Sequence, residues 1–253
     1  MQNRKIRKRK RIGALVRPSP GGGGFATEDD ARGAVVAAVR RMAGSDAGGG
    51  LAGNISLRWH RGGPRGAGML ITPAATPPER IGGDDIVWMS LTADPAPGTR
   101  PSSEWRMHRD LYCARPGDGA VVHTHSPYAT ALACLPQIQR DGLPASHYMI
   151  AVAGGVSLRC APYLPYGTQD LSDATIAAID GRLACLLAHH GVVATGATLD
   201  GGLELAFEVE RLARIHAIAL SAGTPAILSP AQLEGLVTRF AAEGRTAARP
   251  PGE

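Results

Sequence analysis

The feature that most constrains this chain is an apolar segment that runs directly into two histidines. Ala120, Val121 and Val122 are followed by His123 and, after one further residue, by His125. A short apolar run of this kind predicts a buried strand. Because alternate side chains of a strand point to the same face, the two imidazoles are expected to lie a few ångströms apart. The pair is either half of a zinc site or two packed or surface histidines, and the spacing alone allows both interpretations.

A second apolar segment also leads into histidines. Residues 184–188 are apolar, and His189, His190 and Gly191 follow them. The glycine permits a close approach of the backbone. Three imidazoles with an open coordination position form a catalytic zinc site, whereas a structural site is closed by a fourth protein ligand. Three other histidines are assigned to solvated or helix-packing positions, namely His60, His108 and His216.

Glu104 follows two serines, Ser102 and Ser103, at the predicted start of a helix. Serine and glutamate in a first helical turn are ordinary capping residues. Alternatively, Glu104 is a carboxylate beside the metal, where it exchanges a proton with a carbon atom. The unpaired N–H groups of a helix start also suit a phosphate. One helix start is compatible with both uses.

Predicted helices and strands interleave along the chain. Thr27 and the acidic residues after it predict a capped helix start. The hydrophobic patterns predict helices at 28–42, 102–114, 128–134, 171–180 and 203–220, and strands at 54–59, 69–72, 86–89, 120–125 and 184–188. This interleaving predicts an α/β or mixed α+β fold.

The basic character of the chain is concentrated at its N-terminus. The formal net charge is +5, yet residues 1–17 contain eight basic and no acidic residues, so the remainder is net acidic. A like-charge run is typical of a solvated arm, and no nucleic-acid-binding fold follows it, so a nucleic acid is not the expected partner. We predict a basic, Gly/Pro-rich disordered arm at 1–27, a catalytic domain at 28–245 and a flexible tail at 246–253.

The sequence predicts neither an export signal nor a membrane span. The apolar stretch from Ile12 to Val16 is shorter than the roughly 7–15 residues of a signal-peptide core. No run approaches the roughly 18 apolar residues of a membrane span. The cysteines show no CxxC spacing and are predicted to be reduced and buried, as in a cytoplasmic protein. They are Cys113, Cys134, Cys160 and Cys185.

Several separated motifs together resemble the class II aldolase/adducin family. In order over residues 28–242, they are Gly53-Asn54-Ile55-Ser56, Leu70-Ile71-Thr72-Pro73, Pro101 to His108, Ala120 to His125, His147-Tyr148-Met149-Ile150, Cys160-Ala161-Pro162-Tyr163, His189-His190-Gly191 and Glu208-Val209-Glu210. The resemblance implies a three-layer sandwich in which helices flank a central, mainly antiparallel sheet. It also implies a homotetramer with active sites at the subunit interfaces.

The resemblance assigns roles to the residues at matching positions. His123, His125 and His190 would bind zinc, and Glu104 would be close enough to ligate the metal when substrate is absent. Glu104 would also be the acid/base residue, and Tyr148 would donate a proton to the aldehyde oxygen. The substrate phosphate would be held by Gly53, Asn54, Ser102 and Ser103.

These roles imply a zinc-dependent aldolase, a lyase that reversibly cleaves a ketose 1-phosphate to dihydroxyacetone phosphate and an aldehyde. The expected substrate resembles L-fuculose 1-phosphate or 5-deoxyribulose 1-phosphate. Another divalent transition metal is compatible with imidazole ligands. The alternatives are a sugar-phosphate epimerase or dehydratase on the same scaffold, and a non-catalytic adducin-like interaction module. The module is disfavoured because the three histidines and Glu104 are all present.

The chain departs from the family pattern at three places. Leu51 replaces a threonine, and Ala74-Ala75 replaces a Thr-Gly pair in the phosphate loop. The backbone N–H groups of Ala74 and Ala75 could still donate to a phosphate. Glu243 stands where the family's aldolases have a tyrosine that steers the aldehyde. We therefore expect an aldehyde other than lactaldehyde.

Overall fold

Helices and strands alternate along the chain. The computed structural model describes residues 24–45, 53–59 and 66–243. The helices are α1 (Glu28–Ala43), α2 (Trp105–Ala114), α3 (Pro127–Ala133), α4 (Pro136–Asp141), α5 (Gln169–Ile179), α6 (Leu199–Ala222) and α7 (Pro230–Ala242). The strands are β1 (Gly53–Trp59), β2 (Gly68–Ile71), β3 (Val87–Ser90), β4 (Ala120–Thr124), β5 (Cys160–Ala161), β6 (Ala184–Leu187) and β7 (Gly191–Gly196). Short 3₁₀ helices span Pro78–Arg80, Gly83–Asp85 and Tyr148–Ala153.

These strands form one sheet in the order β3-β2-β1-β4-β7-β6-β5. Neighbouring strands are antiparallel, except that β5 and β6 are parallel. Strand β4 lies at the centre between β1 and β7, and its register places His123 opposite Asn54 of β1. The predicted, mainly antiparallel sheet is confirmed.

Helices cover both faces of the sheet. On one face, Ile55 and Leu57 of β1 pack into an apolar cluster with residues of α1, α3, α6 and α7. On the other face, Met69 and Ile71 of β2 join residues of α2 and α5. Alternate side chains of each strand supply the two layers, and each large apolar side chain buried in them contributes roughly 1.5–3 kcal/mol. The predicted three-layer sandwich of mixed α+β class is confirmed.

Hydrogen bonds around the helix starts explain where α1 and α2 begin. Thr27 caps the start of α1, as the sequence predicts, and it forms a reciprocal capping box with Asp30. The predicted start of the next helix at residue 102 is wrong, because α2 begins at Trp105. The Trp105 N–H donates to the Ser102 carbonyl in a turn that precedes the helix. Glu104 therefore stands at the entrance to α2, ahead of its first turn.

The sequence patterns missed β5, β7, α4 and α7. Strand β7 is central, but a glycine at each end and small residues between them obscure it. Gly191 packs so closely on β4 that a Cβ would collide with the Thr124 carbonyl, which confirms the predicted close approach. Helix α7 carries a recognisable start signal, a capping box between Ser229 and Gln232.

The cysteines differ from their prediction. Cys185 is buried and Cys160 is half-buried, but Cys113 and Cys134 are exposed. The prediction that all four are buried is wrong, because Cys113 and Cys134 lie at the C-terminal ends of α2 and α3 and face solvent. All four thiols are free.

Some predictions concern residues outside the described ranges. The arm at 1–27 is described only from residue 24, and the tail at 246–253, His60 and Leu51 are not described. The domain boundaries and the cytoplasmic location stay predictions. Within the described ranges, no helix has the length and apolar character needed to cross a membrane.

Candidate active site

Three histidines meet where β4 ends and β7 begins. His123 is the fourth residue of β4, His125 follows the end of that strand, and His190 lies in the turn before β7. Because β4 pairs with β7, the three rings converge, and each pair of ring centroids is 4.8 Å apart. The Nε2 atoms of His123 and His125 are separated by 2.9 Å. The expected proximity of these two imidazoles is thus observed.

Glu104 completes this cluster from the entrance to α2. Its Oε2 lies 3.1 Å from His123 Nε2, and its Oε1 lies 3.4 Å from His190 Nε2. The residue is only 5% exposed. Oε1 has no hydrogen-bond partner among the described residues. One candidate ligand atom from each of the four residues lies within 4.8 Å of the others.

These donors fit a divalent metal ion. His123 Nδ1 lies 2.9 Å from the Val192 carbonyl, so Nδ1–H donates to it and leaves Nε2 to face the cluster. Buried carboxylate oxygens are normally hydrogen-bonded or bound to a cation, which makes Glu104 Oε1 an unexplained acceptor. Three imidazole nitrogens and a carboxylate oxygen are ligands that zinc prefers.

The electrostatics of the cluster favour cation binding. Burial raises the pKa of the Glu104 carboxyl, but the charge and hydrogen bond of His123 outweigh burial, so the pKa lies well below its usual range. Burial lowers the pKa of His125 to about 4, and nearby His123 adds to the effect. Burial also lowers the pKa of His190 to about 4. Burial lowers the pKa of His123 as well, but the Glu104 charge reverses this and raises it overall. A metal ion would take the place of the His123 proton.

The cluster lies in a cavity of about 650 Å³. We call five buried or half-buried lining residues around the cluster the closed end, namely Asn54, Ser102, Glu104, His125 and His190. The exposed part of its lining is the mouth, which comprises Ala75, Ser103, Tyr163, Tyr166 and His189. Gly53 also lines the cavity. The four residues predicted to hold a phosphate therefore all line this cavity.

Comparison with known proteins places the chain in a family. Residues 33–217 match the family model described as the class II aldolase and adducin N-terminal domain. The chain belongs to the class II aldolase and adducin family. The resemblance stated from the sequence is confirmed.

Curated relatives of this family are similar over most of the chain. A 5-methylthioribulose-1-phosphate/5-deoxyribulose-1-phosphate aldolase of Rhodospirillum rubrum is 43% identical over 201 residues, which are 79% of this chain and 86% of the relative. The L-fuculose phosphate aldolase of Escherichia coli K12 is 40% identical over 196 residues, 77% of this chain and 86% of the relative. A solved structure of L-fuculose 1-phosphate aldolase superposes with a TM-score of 0.75 at 37% identity, covering 83% of this chain and 96% of that one.

Backbone geometry shapes the cavity of this class II aldolase family member around Gly53, Ala74 and Ala75. Gly53 has a φ of 141°, and a Cβ there would collide with the His123 carbonyl, so only glycine lets β1 lie this close to β4. The possibility that the Ala74 N–H serves a phosphate is excluded, because it donates to the Arg100 carbonyl. Ala75 has a φ of 51°, a left-handed conformation that favours the glycine of the family pattern.

Tyr148 is not brought to the cluster within one chain. It begins the 3₁₀ helix Tyr148–Ala153, is 47% exposed and packs on the ring of His147. It is not among the described residues that line the cavity. Glu243 lies just after α7, where it accepts a hydrogen bond from Arg239, and it does not line the cavity either.

The sequence did not assign site roles to Tyr163, Tyr166 and His108. The tyrosines lie in an irregular segment after β5, where no periodicity marks a face. His108 is fully buried, so a solvated position is excluded. Its ring, on α2, is hydrogen-bonded to the Asn54 side chain on β1, which belongs to the closed end. His216 is a helix-packing residue as expected, 2.6 Å from the Ser146 hydroxyl.

Proposed function

We propose that this chain is a metal-dependent aldolase that reversibly cleaves a ketose 1-phosphate to dihydroxyacetone phosphate and an aldehyde. Its curated relatives are named as aldolases, which are lyases, so the enzyme class predicted from the sequence is confirmed. The observation that carries the proposal is the unpartnered oxygen of Glu104, buried against three imidazoles at the closed end of the cavity. The enzymes of this family that it resembles act on sugar phosphates, according to their names.

His123, His125 and His190 would hold the metal, with Glu104 as a further ligand when substrate is absent. A zinc ion bound there supplies Lewis acidity for the negative charge that develops on the substrate carbonyl oxygen. Because the imidazoles would hold the metal at the closed end, they also determine that the substrate carbonyl binds at this end of the cavity. The carboxylate of Glu104 is held next to the same point, which places a proton acceptor beside the reacting carbon.

Cleavage breaks the bond between carbons 3 and 4 of the ketose. The hydroxyl on carbon 4 loses its proton and becomes the aldehyde carbonyl. The electron pair that remains on carbon 3 takes up one proton, which yields dihydroxyacetone phosphate. We assign the proton at carbon 3 to Glu104 and the proton of the hydroxyl to Tyr148. Condensation uses the same groups in the opposite direction.

This assignment requires Tyr148 to come from a neighbouring copy of the chain. Tyr148 is exposed and does not line the cavity of its own chain, whereas the hydroxyl it serves lies in that cavity. We therefore propose a homotetramer with active sites at its subunit interfaces. In such a closed assembly the same surface repeats around a symmetry axis, so one tyrosine per chain completes every site.

The phosphate of the substrate would lie beside Gly53, Ser102 and Ser103. Ser103 is exposed in the cavity and free to turn its hydroxyl toward a ligand, whereas the Ser102 hydroxyl accepts the Glu104 N–H at 3.3 Å. A non-catalytic adducin-like role has no use for a buried carboxylate and three converging imidazoles, which carry a desolvation cost. The intact cluster therefore favours an enzyme.

The experiment is metal-dependent release of dihydroxyacetone phosphate, measured with a coupled reductase. Three substrates, L-fuculose 1-phosphate, ribulose 1-phosphate and 5-deoxyribulose 1-phosphate, are each tested with and without a chelator. We expect chelator-sensitive release from at least one of them, restored by added zinc. No release from any substrate by the zinc-loaded protein would contradict the proposal and favour an epimerase or a dehydratase on this scaffold.

A further inference from the structure

A chain of buried hydrogen bonds runs from Glu104 away from the cavity. Asn54 Nδ2 donates to Glu104 Oε2 at 2.9 Å, and Asn54 Oδ1 lies 2.5 Å from His108 Nε2. On its other side, His108 Nδ1 lies 2.7 Å from the Ser56 hydroxyl, which is 2.9 Å from the Tyr112 hydroxyl. All five side chains are at least nine-tenths buried. The proposed chemistry uses Glu104, and the family resemblance predicts a phosphate contact for Asn54, but the other three side chains are left without a role.

The spacing of the two elements explains why this network can form. His108 and Tyr112 are four residues apart on one face of α2, at a rise of about 6 Å, and Glu104 precedes His108 by the same spacing at the N-cap of the helix. Asn54 and Ser56 are two residues apart on β1 and share a face, at a rise of about 6.6 Å. The two steps nearly match, so each polar side chain of the strand lies between two polar side chains of the helix. Tyr112 closes the series against the Arg58 guanidinium, which lies 4.6 Å from its ring.

The direction of each hydrogen bond follows from the Glu104 end. An ionised carboxylate only accepts, so the NH₂ group of Asn54 must face Glu104 and its carbonyl oxygen must face His108. The carbonyl oxygen only accepts, so His108 Nε2 carries the proton. The unprotonated Nδ1 of His108 then accepts from Ser56, and Ser56 accepts from Tyr112. One tautomer and one amide orientation are consistent with all four hydrogen bonds of this network.

We propose that His108 is a positioning residue, which acts through Asn54 to hold the Glu104 carboxylate beside the three imidazoles. The inference rests on the proposed function for the part Glu104 plays, and it adds the residue that keeps Glu104 in place. Without the His108 donor, the buried Asn54 carbonyl oxygen has lost its partner, so the Asn54 side chain is no longer fixed from both ends and its hydrogen bond to Glu104 weakens. Glu104 then loses its orientation, and Asn54 loses the orientation in which it faces the cavity. Outer partners of this kind typically change metal affinity or activity by about 10- to 100-fold.

The test compares His108→Leu with His108→Gln in the full-length, zinc-loaded protein. Leucine removes the donor, whereas the glutamine amide nitrogen reaches the place of Nε2 and donates again. We expect His108→Leu to lower zinc affinity, measured by chelator competition, and kcat by about 10- to 100-fold with a smaller change in KM. We expect His108→Gln to recover most of both. His216→Leu is the matched control, since it also removes a buried histidine with one serine partner, and it should leave both quantities unchanged.

Two results would overturn the inference. One is wild-type zinc affinity and kcat in a folded His108→Leu variant, and the other is a His108→Gln variant as impaired as the leucine variant. If the leucine variant does not fold, ¹⁵N NMR of the wild-type histidines decides, because the inference requires His108 to be neutral with its proton on Nε2. A proton on Nδ1 would overturn it. Zinc affinity and tautomer are read without substrate, so the inference and the proposed function fail separately.

Discussion

The closed end and the mouth of the cavity are built by different rules. At the closed end, Glu104 is 5% exposed and is held by His123 and Asn54, so its position is determined by several neighbours at once. At the mouth, Tyr163 and Tyr166 are 64% and 71% exposed, and they lie in an irregular segment. Two departures from the family pattern near this cavity, Ala74 and Ala75, are also outside the closed end.

This difference suggests that catalysis and substrate selection depend on different parts of the cavity. A metal and a proton-transferring carboxylate need fixed distances and low solvent exposure, which a sheet flanked by helices supplies. We propose that contacts at the mouth decide which substrates bind, because exposed residues in irregular segments change without disturbing the sheet. The closed end should therefore govern metal binding and kcat, whereas the mouth should govern the choice of substrate and KM.

The largest effect is expected from removal of one metal ligand. His190→Ala should lower the zinc content of the dialysed protein strongly and bring its activity to background, because it removes one of the four ligand groups that converge on the site and leaves that position of the ion unfilled by protein. The metal content is measured by atomic emission after dialysis. The adjacent His189→Asn is the control, since His189 faces Gln139 and Tyr163 rather than the cluster and asparagine tolerates its positive φ. Full zinc content in the His190→Ala protein would remove His190 from the site.

The next effect separates metal binding from proton transfer. Glu104→Gln keeps the shape of the side chain but cannot take up a proton, so kcat should fall by about 10²–10⁴-fold. Zinc should remain bound, because three imidazoles are still present. Both values are measured on the same preparation. A Glu104→Gln protein with wild-type kcat and full zinc would show that another group moves the proton.

Variants of Tyr148 test whether one chain alone supplies all the groups that the reaction needs. Tyr148→Phe should lower kcat by about 100-fold without loss of zinc, because only the hydroxyl that serves the substrate oxygen is missing. Mixing this variant with the zinc-depleted His190→Ala protein under conditions of subunit exchange should restore part of the activity, as hybrid tetramers contain sites with both residues intact. No restoration in verified hybrids would place Tyr148 in the site of its own chain.

The mouth should respond in KM rather than in kcat. Tyr166→Ala should raise KM by about 10-fold, since removal of an aromatic contact costs about 1–3 kcal/mol, and should change the ranking of the ketose 1-phosphates. The kcat for the preferred substrate should change by less than about 3-fold, because every state along the reaction loses the same contact. Tyr166→Phe is the matched control. A large loss of kcat or of zinc in Tyr166→Ala would break the division between closed end and mouth.

The smallest effect concerns backbone strain at the mouth. Ala75 has a φ of 51°, so Ala75→Gly should raise the free energy of unfolding by about 0.5–1 kcal/mol. Ala74→Gly, at a residue without positive φ, should lower it instead. Urea unfolding of the two variants side by side measures the difference. Equal destabilisation by both would show that the Ala75 conformation carries no strain.

The sequence predicted the closed end better than the mouth. The apolar runs before His123 and His190 mark buried strands, and period-two geometry brings His123 and His125 together. The close packing at Gly191 follows from the same pattern, because the absence of a Cβ lets β7 approach β4. These are local rules, and they hold because the sheet is regular here.

The remaining features of the site depend on contacts between elements that are distant in the sequence or on irregular segments, which local sequence patterns do not reveal. The pairing of His108 with Asn54 arises from packing of α2 on β1, and a single helical histidine gives no sign of it. Tyr163 and Tyr166 reach the cavity through an irregular segment without periodicity. Helix α2 begins three residues late because a turn at Ser102 replaces the expected cap.

The most direct test of the central claim is X-ray absorption at the zinc edge of the zinc-loaded protein without substrate. If Glu104 and the three histidines hold the metal, we expect one zinc per chain with three imidazole nitrogens and a carboxylate oxygen at about 2.0–2.2 Å. Glu104→Gln should retain the imidazole signal and lose or weaken the carboxylate contribution. A sulfur ligand at about 2.3 Å, or fewer than three imidazoles in the wild-type protein, would contradict the account.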